Sequence, residues 1–230
     1  MAEPNVPRLS IDIVSDVMCP WCIIGWLKFR TVMTHFEGRL DFRVQWHPFE
    51  LNPGMPPEGE DAAQHVMRKY GITAEQSRAN SGKMAGVAAD LGFVFNRGPD
   101  FRMRNSFDAH RLLTWAGALE EPEQEGATGV QSALKLALFA AHFTDNRDVS
   151  DHVVLADVAA SVGLDRARAE AILTSGDFGE MVRTEQAYWA DQNITGVPAF
   201  ILDGRMLIPG AQDPEVFVRV IENKVLAAAA

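Results

Sequence analysis

The alternation of apolar and polar residues near the start of the chain predicts a strand that runs into a helix. Residues 9–14 are rich in β-branched side chains and alternate in part, which is typical of a strand. Residues 15–18 form a short turn, and the apolar segment after Pro20 indicates a helix. Proline suits the first helical position because its missing N–H has no intrahelical partner there. We therefore expect Cys19 at the N-cap of this helix.

The middle of the chain predicts many helices, and the end returns to strands. A second strand is predicted over residues 40–51, and the Pro/Gly-rich segment 52–57 breaks it. Residues 197–202 and 205–208 are two apolar runs joined by an Asp-Gly pair, which predicts a hairpin. The helix candidates are residues 61–70, 73–91, 104–120, 123–143, 151–162, 166–173, 177–192 and 213–226.

This order of elements predicts an α/β fold built from both chain ends and interrupted by a large helical insertion. Residues 1–55 and 190–230 form the predicted α/β domain, and residues 56–189 form the all-helical insertion. The 230 residues, of which 47% are hydrophobic and 23% charged, have the balance of an ordinary globular protein with a sizeable core.

The charge balance narrows the range of partners. The chain has 21 Lys and Arg against 31 Asp and Glu, a formal net charge of −10, and no basic block. Such a chain is a poor candidate for binding nucleic acid or an anionic membrane surface. The first residues lack a basic patch followed by an apolar stretch, and no apolar run approaches a membrane span. We therefore expect a cytoplasmic protein.

The two cysteines carry the candidate chemistry. Cys19 and Cys22 are the only cysteines, and random placement would give their spacing in about 1% of cases. A structural zinc site needs four ligands, and no histidine lies within ten residues of Cys22, so no metal site is predicted. A CxxC pair in a reducing compartment is more typical of redox chemistry than of a structural cross-link.

The predicted helix gives the two sulfurs different environments. At the N-cap, Cys19 faces free N–H groups and the positive end of the helix dipole, which favours a thiolate and lowers its pKa. Cys22 lies one turn later, more buried and within disulfide reach. We therefore expect Cys19 to attack and Cys22 to resolve. Two inert core thiols are the alternative.

The chain resembles the thioredoxin fold and, through its helical insertion, the DsbA-like family; within that family it resembles the FrnE-type branch of cytosolic proteins. Kappa-class glutathione transferases and hydroxychromene carboxylate isomerases have a similar architecture. The stretches that carry the resemblance are residues 15–26, which include Cys-Pro-Trp-Cys, and 48–53, 105–111, 138–150 and 196–212, the last beginning Gly-Val-Pro.

The resemblance implies roles for residues at both ends of the chain. It implies that Cys19 is the nucleophile and Cys22 the resolving thiol. It also implies that the Val197–Pro198 bond is cis and that Pro198 packs beside the cysteines. The N–H and C=O of Val197 would then face the site, where they could pair with an extended substrate backbone.

Five further residues are expected to line the site, each with a plainer alternative. Pro20 and Trp21 separate the two sulfurs, and Trp21 either presents an aromatic surface or simply packs. Asp16 either acts on the proton of the buried thiol or forms a turn. Asn105 and His110 fall on one predicted helix and are expected to line the cleft. The alternative for His110 is a core histidine whose hydrogen bonds are satisfied.

The expected function is thiol–disulfide oxidoreduction or isomerisation through a mixed disulfide. The partner is a protein or small-molecule disulfide or dithiol, with glutathione as a candidate redox co-substrate and no tightly bound cofactor. One alternative is a glutathione-dependent small-molecule transferase or isomerase, although the relatives with that activity have serine at the first cysteine position. A non-catalytic chaperone or binding module is the other alternative.

Overall fold

The computed structural model describes residues 6–98, 100–120 and 129–226. Strand β1 (Arg8–Ser15) pairs parallel with β2 (Asp41–Pro48) and antiparallel with β5 (Ala199–Leu202). Strand β5 in turn pairs antiparallel with β6 (Met206–Pro209), which gives a four-stranded sheet in the order β2-β1-β5-β6. The main sheet therefore joins the two ends of the chain, as the sequence predicts.

Helix α1 (Pro20–His35) connects β1 to β2, and the remaining helices follow β2. Within the described ranges, no helix is both long enough and apolar enough to cross a membrane. A two-residue strand pair, β3 (Glu60–Asp61) and β4 (Arg102–Met103), lies among the helices. The other helices are α2 (Ala62–Tyr70), α3 (Ala74–Asp90), α4 (Phe107–Ala118), α5 (Val130–Phe143), α6 (His152–Ser161), α7 (Arg166–Thr174), α8 (Gly179–Asp191) and α9 (Pro214–Val220), which continues into a π-helical turn, Ile221–Leu226.

The predicted fold class is confirmed, and several boundaries are corrected. The second strand ends at Pro48 rather than at residue 51, since proline cannot donate to a strand ladder. The helix predicted from residue 104 begins at Phe107. Residues 123–128 of the candidate helix 123–143 lie outside the described residues. The division into residues 1–55 with 190–230 and 56–189 stays a prediction.

The sheet buries both faces. Ile13 packs in one apolar cluster with Phe29 of α1 and Phe217 of α9. The next residue, Val14, points to the opposite face and packs in a cluster with Trp189 of α8. Helix α1 therefore lies in the interior, which explains why its buried residues are spread around the helix rather than along one stripe.

Candidate active site

The two thiols lie at the start of α1. Cys19 is the N-cap, with extended backbone (φ −94°, ψ 112°), and Pro20 is the first helical residue, as predicted. The Cys22 N–H donates to the Cys19 carbonyl (3.0 Å), which begins the first helical turn. Both thiols are free, and both are buried: Cys19 is 3% exposed and Cys22 0%. The strand–turn–helix junction thus brings the pair together at the edge of the core.

The loop before β5 forms the opposite wall of the site. The Val197–Pro198 peptide bond is cis, as the resemblance implies. The Cys19 Sγ lies 3.6 Å from the Val197 carbonyl oxygen. The Val197 N–H has no hydrogen-bond partner among the described residues. Val197 and Pro198 are therefore next to the attacking sulfur of the predicted mechanism.

Asp16 forms the turn that leads into the cysteines. It is fully buried; its Oδ1 accepts from the Met18 N–H (3.0 Å) and its Oδ2 from the Leu51 N–H (2.7 Å). Its carbonyl accepts from the Cys19 N–H (3.1 Å). Burial raises the pKa of this carboxyl, but His110 and the two backbone donors lower it more, so the net pKa lies below the usual range. Asp16 is thus a turn-forming residue and also a buried negative charge near the sulfurs.

The two predicted residues from the inserted segment lie in different settings. His110 is buried in α4; its Nε2–H donates to the Phe49 carbonyl (2.9 Å) and lies 3.6 Å from Asp16 Oδ1. Asn105 is not on that helix, which corrects the prediction. It precedes the N-cap, and its side-chain oxygen accepts from the Phe107 N–H (2.9 Å), because a short amide side chain competes for backbone donors near a helix start. His110 therefore reaches the turn that carries the cysteines, whereas the carboxamide of Asn105 is used locally.

The surface around the pair is partly apolar. Trp21, between the two cysteines, is 43% exposed. A groove of about 320 Å³ runs beside Val197 and Pro198, with Ile194 and Leu207 among its walls. Within the described ranges, no three His, Cys, Asp or Glu side chains are grouped as metal ligands. The groove therefore offers apolar surface beside the loop that faces Cys19.

Lys135 is the residue of this site that the sequence analysis missed. It lies on α5 with a fully buried side chain, and its Nζ donates to the Ser15 carbonyl (3.3 Å). The signal was present, since Lys135 is the one charge in the apolar run 133–141 of a helix, and lysine is rarely buried without a reason. Ser15 was missed as well; its hydroxyl is buried beside Cys22, whose pKa it lowers.

The pKa of Cys19 is shifted in the opposite direction from the one that the sequence predicts. The hydrogen bond with Cys22, burial and the negative charge of Asp16 raise the pKa of Cys19 well above its ordinary value, against a smaller lowering by the Cys22 N–H. Burial also raises the pKa of Cys22, but the Cys19 thiol, Lys135 and the Ser15 hydroxyl lower it more, so the net shift is downward. The expected lowering of the Cys19 pKa by the helix terminus is thus outweighed, and in the closed pair the negative charge is favoured on Cys22.

A family model described as a DSBA-like thioredoxin domain matches residues 10–222 of the chain. The chain is 30% identical to a probable DsbA oxidoreductase from Streptomyces coelicolor, whose crystal structure it matches with a TM-score of 0.82 over 93% of this chain and 88% of the other. It is also 25% identical over 217 residues to an uncharacterised protein of Bacillus subtilis, covering 94% of this chain and 97% of that protein.

A third protein, a solved structure, is similar at a lower sequence identity. The crystal structure of the cytosolic disulfide reductase DsbM from Pseudomonas aeruginosa with GSH matches with a TM-score of 0.60 at 17% identity, over 94% of this chain and 99% of the other. At this identity the likeness shows the fold alone.

Proposed function

The chain belongs to the family of DSBA-like thioredoxin domains, and on that premise we propose that it is a thiol–disulfide oxidoreductase that works through Cys19 and Cys22. The observation that carries the proposal is the paired, free thiols at the first turn of α1, facing the Val197 carbonyl at 3.6 Å. Paired sulfurs at a helix N-terminus are arranged for thiol–disulfide exchange, since one can capture a sulfur and the other can displace it.

In the reducing direction, the reaction begins when Cys19 loses its proton. The resulting Cys19 thiolate is stabilised by the Cys22 N–H at the helix N-terminus. The thiolate attacks a substrate disulfide RS–SR′; the Cys19–SR bond forms, and R′S⁻ leaves and binds a proton. Cys22 then loses its proton, its thiolate attacks Cys19 Sγ, the Cys19–Cys22 bond forms as the Cys19–SR bond breaks, and RS⁻ leaves and takes up a proton. The oxidising direction is the same sequence reversed.

Two features support a polypeptide substrate. The unpaired N–H of Val197 is free to pair with an extended backbone laid beside β5, as in strand addition. The exposed ring of Trp21 and the groove beside Val197 offer apolar surface on either side of Cys19. Peptide disulfides are therefore the substrate class that we propose, with isomerisation following when the resolving thiol is slow.

Glutathione is the co-substrate that we propose for recycling, and the cytoplasm is the compartment. A cytosolic thiol pool reduces a CxxC pair whose reduction potential lies near roughly −220 to −320 mV, the range given for cytosolic glutathione. Equilibration of the purified protein with defined ratios of reduced and oxidised glutathione measures this potential. A potential well above the range would assign the protein to oxidation instead.

The roles of the two sulfurs are tested with Ellman's reagent, a disulfide that releases a coloured thiolate at each exchange. The wild-type protein is expected to release two equivalents per chain, one on capture by Cys19 and one on displacement by Cys22. Cys22→Ser should release one equivalent and keep the other as a stable mixed disulfide at Cys19. Cys19→Ser should react slower by about a hundredfold or more, because Cys22 is wholly buried.

The double variant C19S/C22S provides the blank, since the chain has no other cysteine. Insulin reduction by the same four proteins extends the test to a polypeptide disulfide. Full insulin-reducing activity in Cys19→Ser would refute the proposed function. Full activity in Cys22→Ser with glutathione present would instead favour a glutathione-dependent reaction at a single sulfur.

A further inference from the structure

The ammonium group of Lys135 occupies an unusual place for a charge. Its side chain is fully buried, and its Nζ lies over the rings of Trp46 (5.5 Å) and Phe139 (5.2 Å). Among the described residues its single hydrogen bond goes to the Ser15 carbonyl (3.3 Å), and no carboxylate lies within ion-pair distance. A buried ammonium without a paired carboxylate destabilises a fold, so its presence needs a reason other than stability.

The groups that Lys135 faces supply that reason. They come from the turn after β1 and from α1, and they are the Asp16 carboxylate and the sulfurs of Cys19 and Cys22. The turn also faces His110 of α4, while His142 on α5 itself is buried and neutral. Of the thiol pair, Cys22 is the sulfur whose ionisation Lys135 favours.

We propose that Lys135 is the buried cation that stabilises the Cys22 thiolate in the step that resolves the mixed disulfide. The proposal rests on the function proposed above. It assigns to the inserted helix α5 a part in the chemistry of a pair carried by α1. Lys135 acts on Cys22 through its charge rather than by contact with the substrate, and it is therefore a positioning residue.

The charge matters most once Cys19 is bonded to a substrate sulfur. The Cys19 thiol then has no proton to donate, so Cys22 loses the hydrogen bond that stabilises its thiolate in the reduced pair. What remains is the Lys135 ammonium and the Ser15 hydroxyl, both of which favour the Cys22 thiolate. The Cys22 thiolate attacks Cys19 Sγ, the sulfur–sulfur bond to the substrate breaks, and the departing thiolate gains the proton that Cys22 has lost.

The proton affinity of Lys135 fits this role. Burial lowers the pKa of its ammonium to about 8, although Cys22, Asp16 and Cys19 act in the opposite direction. The group therefore remains mostly charged near neutrality. Above about pH 8 the ammonium loses its charge, and we expect it no longer to stabilise the Cys22 thiolate in the resolving step. The higher pH at the same time ionises a larger fraction of every thiol.

The test is Lys135→Met, which removes the charge and keeps an unbranched side chain. In a Cys19→Ser background, Cys22 is the only thiol, and the ultraviolet absorbance of its thiolate gives its pKa directly. We expect Lys135→Met to raise the pKa of Cys22 by about one unit or more. In the two-cysteine protein, release of the second equivalent from Ellman's reagent should slow about tenfold at neutral pH, while the first release changes little.

Two further variants separate charge from packing. Lys135→Gln keeps a donor for the Ser15 carbonyl without the charge, and we expect it to resemble Lys135→Met. Lys83→Met, on an exposed face of α3, is the matched control and should leave both measurements unchanged. An unchanged Cys22 pKa and second release in both Lys135 variants would overturn the proposal. So would failure of both to fold, since Lys135 would then serve structure alone.

Failure of this inference can be told apart from failure of the proposed function. A wild-type protein that releases one equivalent or none would refute the oxidoreductase assignment. The Cys22 pKa in the Cys19→Ser background would still decide whether Lys135 stabilises its thiolate. Conversely, normal exchange with an unchanged Cys22 pKa would remove Lys135 from the mechanism and leave the oxidoreductase assignment standing.

Discussion

Gly25 sets the distance between the helix that carries the sulfurs and the loop that faces them. A Cβ at this position would lie 3.1 Å from Pro198 Cγ and 3.4 Å from the Cα and Cβ of Ala211. Any side chain would therefore push α1 and the loop apart. Because that loop holds the Val197 carbonyl 3.6 Å from Cys19 Sγ, the absence of a side chain at Gly25 helps to define the site.

Gly25→Ala is expected to slow thiol–disulfide exchange. It should also lack the increase in stability that usually follows when a glycine inside a helix is replaced by alanine. Alanine gains about 1 kcal/mol over glycine in a helix interior, but overpacking a tight contact costs about 1–3 kcal/mol. We expect a net destabilisation of about 1 kcal/mol in urea unfolding and a several-fold slower first release from Ellman's reagent. Gly86→Ala, in α3 with open space around its Cβ, is the matched control and should gain stability without any change in rate. Equal changes in stability and in the rate of first release in the two variants would show that the contact at Gly25 does not affect the site.

Local sequence chemistry was a good guide where a residue acts on its own backbone. The Thr73 side chain and Gln76 form the capping box that begins α3, as their spacing suggests, and Pro20 stands at the start of α1. The same local chemistry accounts for Asn105, whose side-chain oxygen accepts from the Phe107 N–H. The direction of the Cys19 pKa shift was predicted wrongly because the hydrogen bond with Cys22, burial and the charge of Asp16 raise it, and the local motif reveals neither the burial nor the buried charge.

Helix α5 is fixed against the edge of the sheet by polar contacts in an otherwise apolar interface. The Gln131 side-chain oxygen accepts from the Trp46 N–H (2.9 Å), and its amide donates to the carbonyls of Trp46 (3.0 Å) and Leu113 (3.2 Å). The indole N–H of Trp46 donates to the Ser132 hydroxyl (2.9 Å). Gln131 thus satisfies the outer backbone groups of an edge strand and sets the register that brings Lys135, one turn later, behind the sulfurs.

Gln131→Leu is expected to destabilise the protein by about 2–4 kcal/mol, because it leaves the buried N–H and carbonyl of Trp46 without partners. Unfolding in urea, followed by circular dichroism, measures this loss. The second release from Ellman's reagent should also slow, since α5 loses the contacts that fix the position of Lys135. The exposed Gln192→Leu at the end of α8 should stay within about 0.5 kcal/mol of wild type. A loss for Gln131→Leu no larger than that of Gln192→Leu would contradict the account of this interface.

The two ends of the chain form the four-stranded sheet, and helices from its middle contribute side chains that surround the sulfurs. Strand alternation, the Asp-Gly hairpin and the CxxC motif made the sheet and the position of the thiols predictable from the sequence. The contribution of α5 was not predictable, because periodicity marks which face of a helix is buried but not which strand that face meets. Phe139 and Phe143 of α5 pack in the same apolar cluster as Ile13 of β1, so α5 shares a core with the sheet.

That shared core also contains a histidine that makes the whole fold sensitive to acid. His142 is buried between the rings of Phe101 (4.8 Å) and Phe143 (4.6 Å), and its Nε2 has no hydrogen-bond partner among the described residues. Burial, reinforced by the nearby positive charge of Arg97, lowers its pKa from 6.5 to about 3. Between these two pH values the unfolded chain binds a proton that the folded chain refuses, so stability falls as the pH falls through this window.

Between pH 7 and pH 4.5 this single residue should therefore reduce the free energy of unfolding by about 2–3 kcal/mol. His142→Leu, which keeps an apolar side chain in the same cluster, should remove that share of the acid sensitivity. Urea unfolding at the two pH values measures the difference, and we expect a shallower pH dependence in the variant than in wild type. His35→Gln, at an exposed position at the end of α1, is the control and should retain the wild-type slope. Parallel profiles for wild type and His142→Leu would mean that other groups, such as the buried Asp16 carboxylate, account for the loss of stability in acid.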